Sequence, residues 1–271
     1  MRNYTQIILI ALSLLSISCT KDKKINLFTI SDDKKLGSQL DNEIRTNKSE
    51  YPILDSATNV AVYKYIYDMR DDILSSSLIF HKDDFNWRVT IIDKPILNAF
   101  AAPGGKIYVY TGLMKYVKSG SELAGILAHE VTHADRRHST QQMTKVYGIQ
   151  ILLNIALGSD TAGLGKMAKD MATGAASLKW SREHEYEADS MSVEFLYSIR
   201  ARKNYQCDAL TDFFKRMDSS QTINITPEWL QTHPLDENRI ARVNGHYIAL
   251  GSPKGELFTS EYATIIAKLP K

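Results

Sequence analysis

The stretch Leu127-Ala128-His129-Glu130-Val131-Thr132-His133 carries the strongest signal in this chain. Four residues are slightly more than one helical turn, so His129 and His133 project from one face of a helix and can bind one metal ion, with Glu130 beside them. A capping-box pattern, Ser119-x-x-Glu122, lies upstream, and apolar residues follow it at helical spacing. This context favours a metal site over two incidental histidines and predicts a zinc hydrolase.

A catalytic zinc site needs three protein ligands and an open position for water, so a third ligand must come from elsewhere. The acidic segment 181–189 offers Glu183, Glu185 and Glu187. On a helix, Glu183 and Glu187 share a polar stripe that is typical of a solvent-facing surface, whereas Glu185 lies on a stripe that can face the interior. The helical spacing therefore predicts Glu185 as the third ligand.

Asp189 follows Glu185 by one helical turn and shares its inward stripe. A pair of carboxylates on a partly buried face requires a cation nearby. We expect Asp189 to accept a hydrogen bond from the free ring nitrogen of His129 or His133. The alternative for the segment is a surface helix with scattered acidic residues.

The remaining pattern predicts an α+β protein that is mostly α, with a small sheet. Helices are predicted over 32–44, 56–73 and 146–157, and strands over 85–92 and 106–110. The apolar run within 146–157 has about half of the roughly 20 residues that a membrane-spanning helix needs. With 44% hydrophobic residues, the chain can bury a sizeable core.

The N-terminus has the pattern of an exported lipoprotein. Residues 1–18 combine an early arginine, a short apolar run and small residues, which predicts a signal peptide. Cleavage before Cys19 would leave that cysteine for lipidation, followed by a tether over 19–30 and a metallopeptidase domain over 31–271. An ordinary signal peptide with an incidental cysteine is the alternative.

Charge and cysteine content restrict the class further. The formal net charge is +2 and the chain has two cysteines. Acidic and basic residues alternate along the chain, so we expect no nucleic-acid partner. If Cys19 carries lipid, only Cys207 remains, no internal disulfide can form, and Cys207 is expected to be a packed thiol.

Two motifs together make the resemblance specific. His129-Glu130-Val131-Thr132-His133, followed by Glu185-Tyr186-Glu187-Ala188-Asp189, resembles the HtpX-like and CAAX-prenyl-protease-like family of gluzincin zinc endopeptidases, whose signature is HExxH plus ExxxD. Further stretches match in the family's order: Asp32–Ile44, Asn98–Gly105, Thr232-His233-Pro234 and Arg239-Ile240. Within the family, the chain resembles the single-domain lipoprotein branch, because only a short stretch follows Pro234 and the sequence has no membrane-spanning run.

The resemblance implies a zincin-like domain with one zinc ion per chain, bound by His129, His133 and Glu185. Glu130 would be the general base, and Arg239 the candidate donor to the oxyanion, with His233 the less favoured one. The family's edge strand, which borders the active-site helix and pairs with substrate, would comprise Lys106, Ile107, Tyr108, Val109 and Tyr110.

His233 precedes a proline and is expected on a loop. It could occupy the open zinc position and keep the enzyme latent, or it could cap a helix or bind the transition state. The sequence analysis leaves these roles open. The other histidines are expected to have surface or core roles: His81, His138, His184 and His246.

The resemblance also implies the cellular setting. Substrates would be misfolded or unassembled envelope proteins, and the lipid anchor would hold the protein at a bacterial membrane facing the periplasm, the outer membrane rather than the inner. A chaperone-like envelope factor with latent proteolysis is the alternative function. A structural zinc protein is a third, but such sites are usually closed by four cysteine or histidine ligands.

Overall fold

The computed structural model describes residue 26 and residues 28–175, 178–221 and 228–270. The predicted signal peptide and Cys19 lie outside these residues. The helices are α1 (Ile30–Thr46), α2 (Val60–Leu74), α3 (Thr111–Tyr116), α4 (Gly120–Asp135), α5 (His138–Tyr147), α6 (Ile149–Ala156), α7 (Thr161–Ala172), α8 (Arg182–Ser198), α9 (Leu210–Gln221), α10 (Glu228–Thr232), α11 (Glu237–Ala249) and α12 (Thr259–Ile266). The strands are β1 (Arg88–Ile92), β2 (Ala99–Ala102) and β3 (Lys106–Tyr110). The predicted α+β, mostly helical class is confirmed.

The sheet has the order β1-β3-β2, with β3 parallel to β1 and antiparallel to β2. The prediction that Lys106–Tyr110 is the edge strand is therefore wrong. The segment 103–105 is a tight turn, with Gly104 and Gly105 at φ of 70° and 80°, and it folds β2 back onto β3 as a hairpin. Because β3 then pairs on both sides, β2 is the edge strand near the active-site helix.

The sheet is buried on both faces by alternating side chains. Ile107 and Val109 lie in one core cluster, with residues of α2, α4, α8 and α9. Tyr108 and Tyr110 lie in a second cluster, which α1, α6 and α7 complete. The predicted sharing of one face by Ile107 and Val109 is confirmed.

Helix α4 lies entirely inside the molecule. Ser119 is its N-cap, and the Ser119 side chain accepts a hydrogen bond from the backbone N–H of Glu122, as the capping pattern predicts. Helix α4 packs against α8 and β2. A fully buried helix can present polar side chains only to partners inside the protein, so its histidines must meet other buried groups.

Other predicted elements differ in detail. The predicted helix over 146–157 is interrupted at Gly148, whose φ of 79° ends α5 and starts α6.

Cys207 is buried, and burial raises the pKa of its thiol to about 11, which fits the predicted packed thiol. In the part of the chain that the structure describes, no helix has the length and apolar character needed to cross a membrane.

Candidate metal centre

The two motif histidines face each other across one turn of α4. The Nε2 atoms of His129 and His133 are 3.0 Å apart, and both rings are fully buried. Burial and the neighbouring His133 ring lower the pKa of His129 well below its ordinary value. The His129 ring is therefore neutral near pH 7, which is the form that binds a metal.

Helix α8 brings Glu185 to this pair. Ser181 caps α8 by accepting a hydrogen bond from the backbone N–H of His184, which sets the helix start and so the direction of Glu185. The Glu185 carboxylate lies 3.3 Å from His133 Nε2 and 3.8 Å from His129 Nε2.

The neighbouring glutamates point elsewhere. Glu185 is 1% exposed, Glu187 is half-buried and Glu183 is exposed. The helical-face argument therefore separates the three acids correctly by burial.

His233 completes the group. It follows α10, and one ligand atom from each of His129, His133, Glu185 and His233 lies within 4.8 Å of the others. Glu185 Oε1 has no hydrogen-bond donor among the described residues, whereas Oε2 has an ion-pair contact with the Arg239 guanidinium. A buried carboxylate with one unbonded oxygen beside two imidazoles fits a bound cation, and these groups match the nitrogen and oxygen ligands of zinc.

Glu130 lies at the edge of this group on α4. Its Oε1 atom is 3.4 Å from His233 Nε2 and accepts a hydrogen bond from Trp229 Nε1 at 3.4 Å. Burial, and then the charge of Glu185, raise the pKa of Glu130 well above the ordinary carboxyl value. A carboxyl group with a raised pKa is suited to exchanging protons near neutral pH.

Asp189 lies close to the outer nitrogen of His129, but the geometry of the predicted hydrogen bond is not met in the structure. The distance from Asp189 Oδ1 to His129 Nδ1 is 3.0 Å. This contact directs His129 Nε2 toward His133 and Glu185.

Arg239 lies behind the two acidic residues of α8. Its guanidinium donates to both oxygens of Asp189, at 2.7 and 2.6 Å, and its Nη1 atom is 2.5 Å from Glu185 Oε2. Nη1 also donates to the backbone carbonyls of His233 and Pro234 at 3.4 Å. Because its nitrogens already have partners, the geometry favours a supporting role for Arg239 over the predicted oxyanion contact.

His138 lies beside the site, a position that the sequence analysis did not predict. Its Nδ1 atom is 3.1 Å from His133 Nδ1, and its Nε2 atom is 3.3 Å from Glu187 Oε2. The ring also stacks on His184, with centroids 4.1 Å apart. In the sequence, only its position five residues after His133 pointed to the site. In the structure, the left-handed residue Arg137, with φ of 59°, separates α4 from the start of α5 at His138.

Two tryptophans pack against the histidines of the site. Trp180 donates from Nε1 to His233 Nε2 at 2.9 Å and stacks on His133 with centroids 4.4 Å apart. Trp229 stacks on His233 with centroids 4.5 Å apart. No sequence signal marked either residue, because each lies on a segment remote from the zinc motif.

The outer edge of β2 borders the same site. The carbonyl of Ala101 accepts a hydrogen bond from Ser139 at 2.8 Å, and the carbonyl of Leu97 accepts one from the backbone N–H of Trp229 at 3.0 Å. A small apolar cavity lies between this edge and His233. Its lining includes Phe100, Met143, Met171, Leu178 and Trp180.

A profile of the family described as peptidase family M48 matches residues 65–246, more than half of the chain. The chain belongs to this family. The result confirms the resemblance inferred from the motifs, and the zinc dependence of the family agrees with the buried histidine and glutamate group.

Three relatives show the extent of the similarity. A beta-barrel assembly-enhancing protease of Yersinia pestis is 28% identical over 56% of this chain and 32% of its own length. The protein of the same name from Escherichia coli is 29% identical over 56% of this chain and 32% of its own length. The mitochondrial metalloendopeptidase OMA1 of Arabidopsis thaliana is 35% identical over 59% of this chain and 31% of its own length. The match thus spans about a third of each relative.

Proposed function

We propose that this chain is a zinc metalloendopeptidase of the bacterial cell envelope that hydrolyses peptide bonds of misfolded or unassembled envelope proteins. The observation that carries the proposal is the convergence of His129, His133 and Glu185 within a fully buried group, with Glu130 on the adjacent side. Family membership and the names of the relatives support the same activity.

The three residues would bind one zinc ion, and Glu130 would manage the protons. Bound zinc supplies Lewis acidity that polarises the scissile carbonyl and lowers the pKa of a water molecule to about 7. Glu130 takes the proton from the attacking water and delivers it to the amine that leaves. Burial raises the pKa of Glu130 above the ordinary carboxyl value, which favours its acting first as proton acceptor and then as proton donor.

Asp189, Arg239 and His138 would hold the ligands in place. Asp189 fixes the ring of His129, and Arg239 fixes both Asp189 and Glu185 through its guanidinium. His138 does the same for His133 from the opposite side. Such contacts restrict each ligand to one orientation before the metal arrives.

His233 would act as a latch. His233 is one of the four residues of the group, and its ring stacks on Trp229. Its Nε2 atom accepts the hydrogen bond from Trp180, so binding of zinc by Nε2 requires that this hydrogen bond break. As a fourth ligand it would occupy the position that a water molecule needs for catalysis. Substrate must therefore displace the segment that carries His233 before hydrolysis can begin.

Substrate would pair with the outer edge of β2 rather than with β3. Backbone pairing to a strand edge accepts many sequences, as a protease of misfolded proteins requires. In the closed structure β2 is buried and its Ala101 carbonyl is bonded to Ser139, so this edge would become available only when the cover opens. The apolar cavity beside β2 has a volume of about 20 Å³ in the closed structure, so it would have to widen on opening to take a hydrophobic side chain next to the scissile bond. Hydrophobic side chains are exposed in unfolded proteins and buried in folded ones, so this preference would select unfolded chains.

The names of two relatives describe proteases that enhance β-barrel assembly, which supports envelope proteins as substrates. We place the protein on the periplasmic side of a membrane through lipid on Cys19, the outer membrane being favoured. A chaperone-like factor without hydrolysis would require no Glu130 beside the metal ligands, so we favour the protease.

The proposal is tested by digestion of an unfolded protein. The full chain is incubated with reduced, carboxymethylated substrate protein and with the same protein in its folded state. We expect cleavage of the unfolded form only, loss of cleavage after treatment with a zinc chelator, and recovery when zinc is returned. Undiminished cleavage after verified removal of the metal would refute the proposed mechanism.

A further inference from the structure

Helix α6 and the residue after it leave an aliphatic face uncovered. Leu152 and Ile155 are buried, and Ile151, on a different side of the helix, is 38% exposed. The other exposed aliphatic residues are Ile149, Leu153 and Leu157, at 39%, 37% and 76%. Those three residues are spaced four apart, so they lie along one side of the helix. Aliphatic side chains exposed one at a time are ordinary on a protein surface, but three in one row need a partner.

A basic groove adjoins this row. Lys34 and Lys35 of α1 line a surface groove whose opposite wall is Ala156 of α6. Gln39 donates a hydrogen bond to the Ala156 carbonyl at 3.3 Å, which holds the two helices together. Viewed down the axis of α6, Ala156 lies between the buried residues and the exposed row. The groove that Ala156 lines is therefore next to the exposed row.

The groove also lies where the N-terminal tether enters the domain. Ser31, the second residue of α1, is one of its lining residues. The sequence just upstream contains Lys21, Lys23 and Lys24. The link from Cys19 to Ile30 can span at most about 40 Å when fully extended. A lipid on Cys19 would therefore keep this groove close to the bilayer.

We propose that a docking face, formed by Lys34, Lys35, Ile149, Leu153 and Leu157, binds the surface of a bilayer that contains anionic phospholipid. The aliphatic row enters the boundary between head groups and acyl chains, and the lysines contact the anionic head groups. The inference rests on the proposed lipid anchor for its location and does not depend on the hydrolytic activity.

The shape of the face favours a bilayer over a second copy of the chain. The row is a single line of side chains on one helix, flanked on α6 by Gln150 and Asn154. A stable dimer buries about 800 Å² on each partner, which a single line of three side chains does not provide. An interfacial helix requires only an apolar side with lysines at its border.

The first experiment measures insertion directly. A polarity-sensitive fluorophore is attached through Leu153→Cys to the chain that carries lipid on Cys19, whose thiol the lipid blocks. Ile248→Cys on α11 is the matched control, where Ile248 is 66% exposed. Cys207 is buried and protected from labelling. Vesicles contain phosphatidylethanolamine with phosphatidylglycerol, or phosphatidylcholine alone.

We expect a blue shift for the label at position 153 only, larger with the anionic lipid. The proposal is overturned by no shift at position 153, or by an equal shift at both positions. A shift that depends on protein concentration without vesicles would overturn it in favour of self-association.

The second experiment separates docking from catalysis. Vesicle flotation uses residues 19–271 with Cys19→Ala, so that neither the apolar leader nor a lipid contributes to binding. In that background, Leu153→Gln with Leu157→Gln should partition about tenfold less than Ile248→Gln. Digestion of a soluble unfolded protein should be equal in both. Unchanged flotation would overturn the docking face, whereas loss of digestion in the unsubstituted chain would count against the proposed function alone.

Discussion

At the scale of single residues, the site is selected by which carboxylates face inward. Glu185 and Asp189 occupy the buried side of α8, and both contact Arg239 as well as the histidines. Glu183, two residues before Glu185, faces solvent. Helix α8 thus carries a buried acid beside the histidines, Glu185, and a solvent-facing acid, Glu183, within one turn. The zinc affinity of variants at the two positions should therefore differ.

We expect Glu185→Gln to lose zinc, whereas Glu183→Gln keeps it. Removal of a ligand should weaken zinc binding by more than the roughly 10- to 100-fold that follows loss of a supporting contact. Glu187→Gln should give that smaller effect, because Glu187 contacts His138. The measurement is zinc affinity by chelator competition, and equal affinities for all three variants would contradict the assignment.

His138 provides a second test at this scale. Because its ring contacts His133 Nδ1, His138→Ala should weaken zinc binding by about 10- to 100-fold and change the visible absorption of the cobalt-substituted protein. His246→Ala, at a half-exposed histidine, is the control and should change neither quantity. A spectrum and an affinity that do not change in His138→Ala would exclude the positioning role.

At the scale of elements, β2 determines where substrate can bind. Its ladder partner is β3, so its other edge faces α4 and the buried site. Backbone groups of a strand point alternately toward each neighbour. Substrate added to β2 should therefore use the N–H groups of alternate residues.

N-methylated peptides test this arrangement. Two peptides are made from one good substrate. The first is methylated at alternate backbone nitrogens near the cleavage site, and the second is methylated at the intervening nitrogens. We expect kcat/KM to fall about 2- to 10-fold for each lost hydrogen bond in one series and to change little in the other. Equal effects in both series would argue against strand addition.

The elements also show how far the sequence is informative. Helix α1 was predicted from the helical spacing of its apolar residues, and helix α4 from its capping pattern and the apolar residues that follow it. Strand β2 was missed because Ala99-Phe100-Ala101-Ala102 has little of the β-branched composition of strands. Missing β2 made β3 appear to be the edge, since the alternation within a strand does not identify its neighbours.

Some residues of the candidate site could be predicted and others could not, because a local sequence pattern does not identify tertiary neighbours. Residues on the two motif helices could be placed by helical spacing, as Glu185 and Asp189 show. Trp180 and Trp229 reach the site from other segments, and their contacts depend on tertiary packing that no local pattern encodes. Arg239 was found by motif, but its partners required the structure.

At the scale of the whole molecule, the site is closed. His129, His133, Glu130 and His233 are all fully buried, so a peptide cannot reach them without movement of the covering segments. Helix α10 and His233 are held to the rest of the molecule by the hydrogen bonds of Trp229 and Trp180. Activity therefore depends on how often this cover opens.

We expect His233→Ala to increase basal hydrolysis of an unfolded protein several-fold while His129, His133 and Glu185 retain zinc, because the substitution removes the latch. His246→Ala is again the control. A fall in hydrolysis with unchanged zinc content would show instead that His233 assists the reaction.

The central claim is that three residues hold the metal and Glu130 handles the protons. The most direct measurement determines zinc content and peptide hydrolysis together in Glu130→Gln. The account predicts one zinc ion per chain, as in the unsubstituted protein, with hydrolysis reduced by about 100-fold or more. Full hydrolysis in the zinc-loaded variant would contradict it.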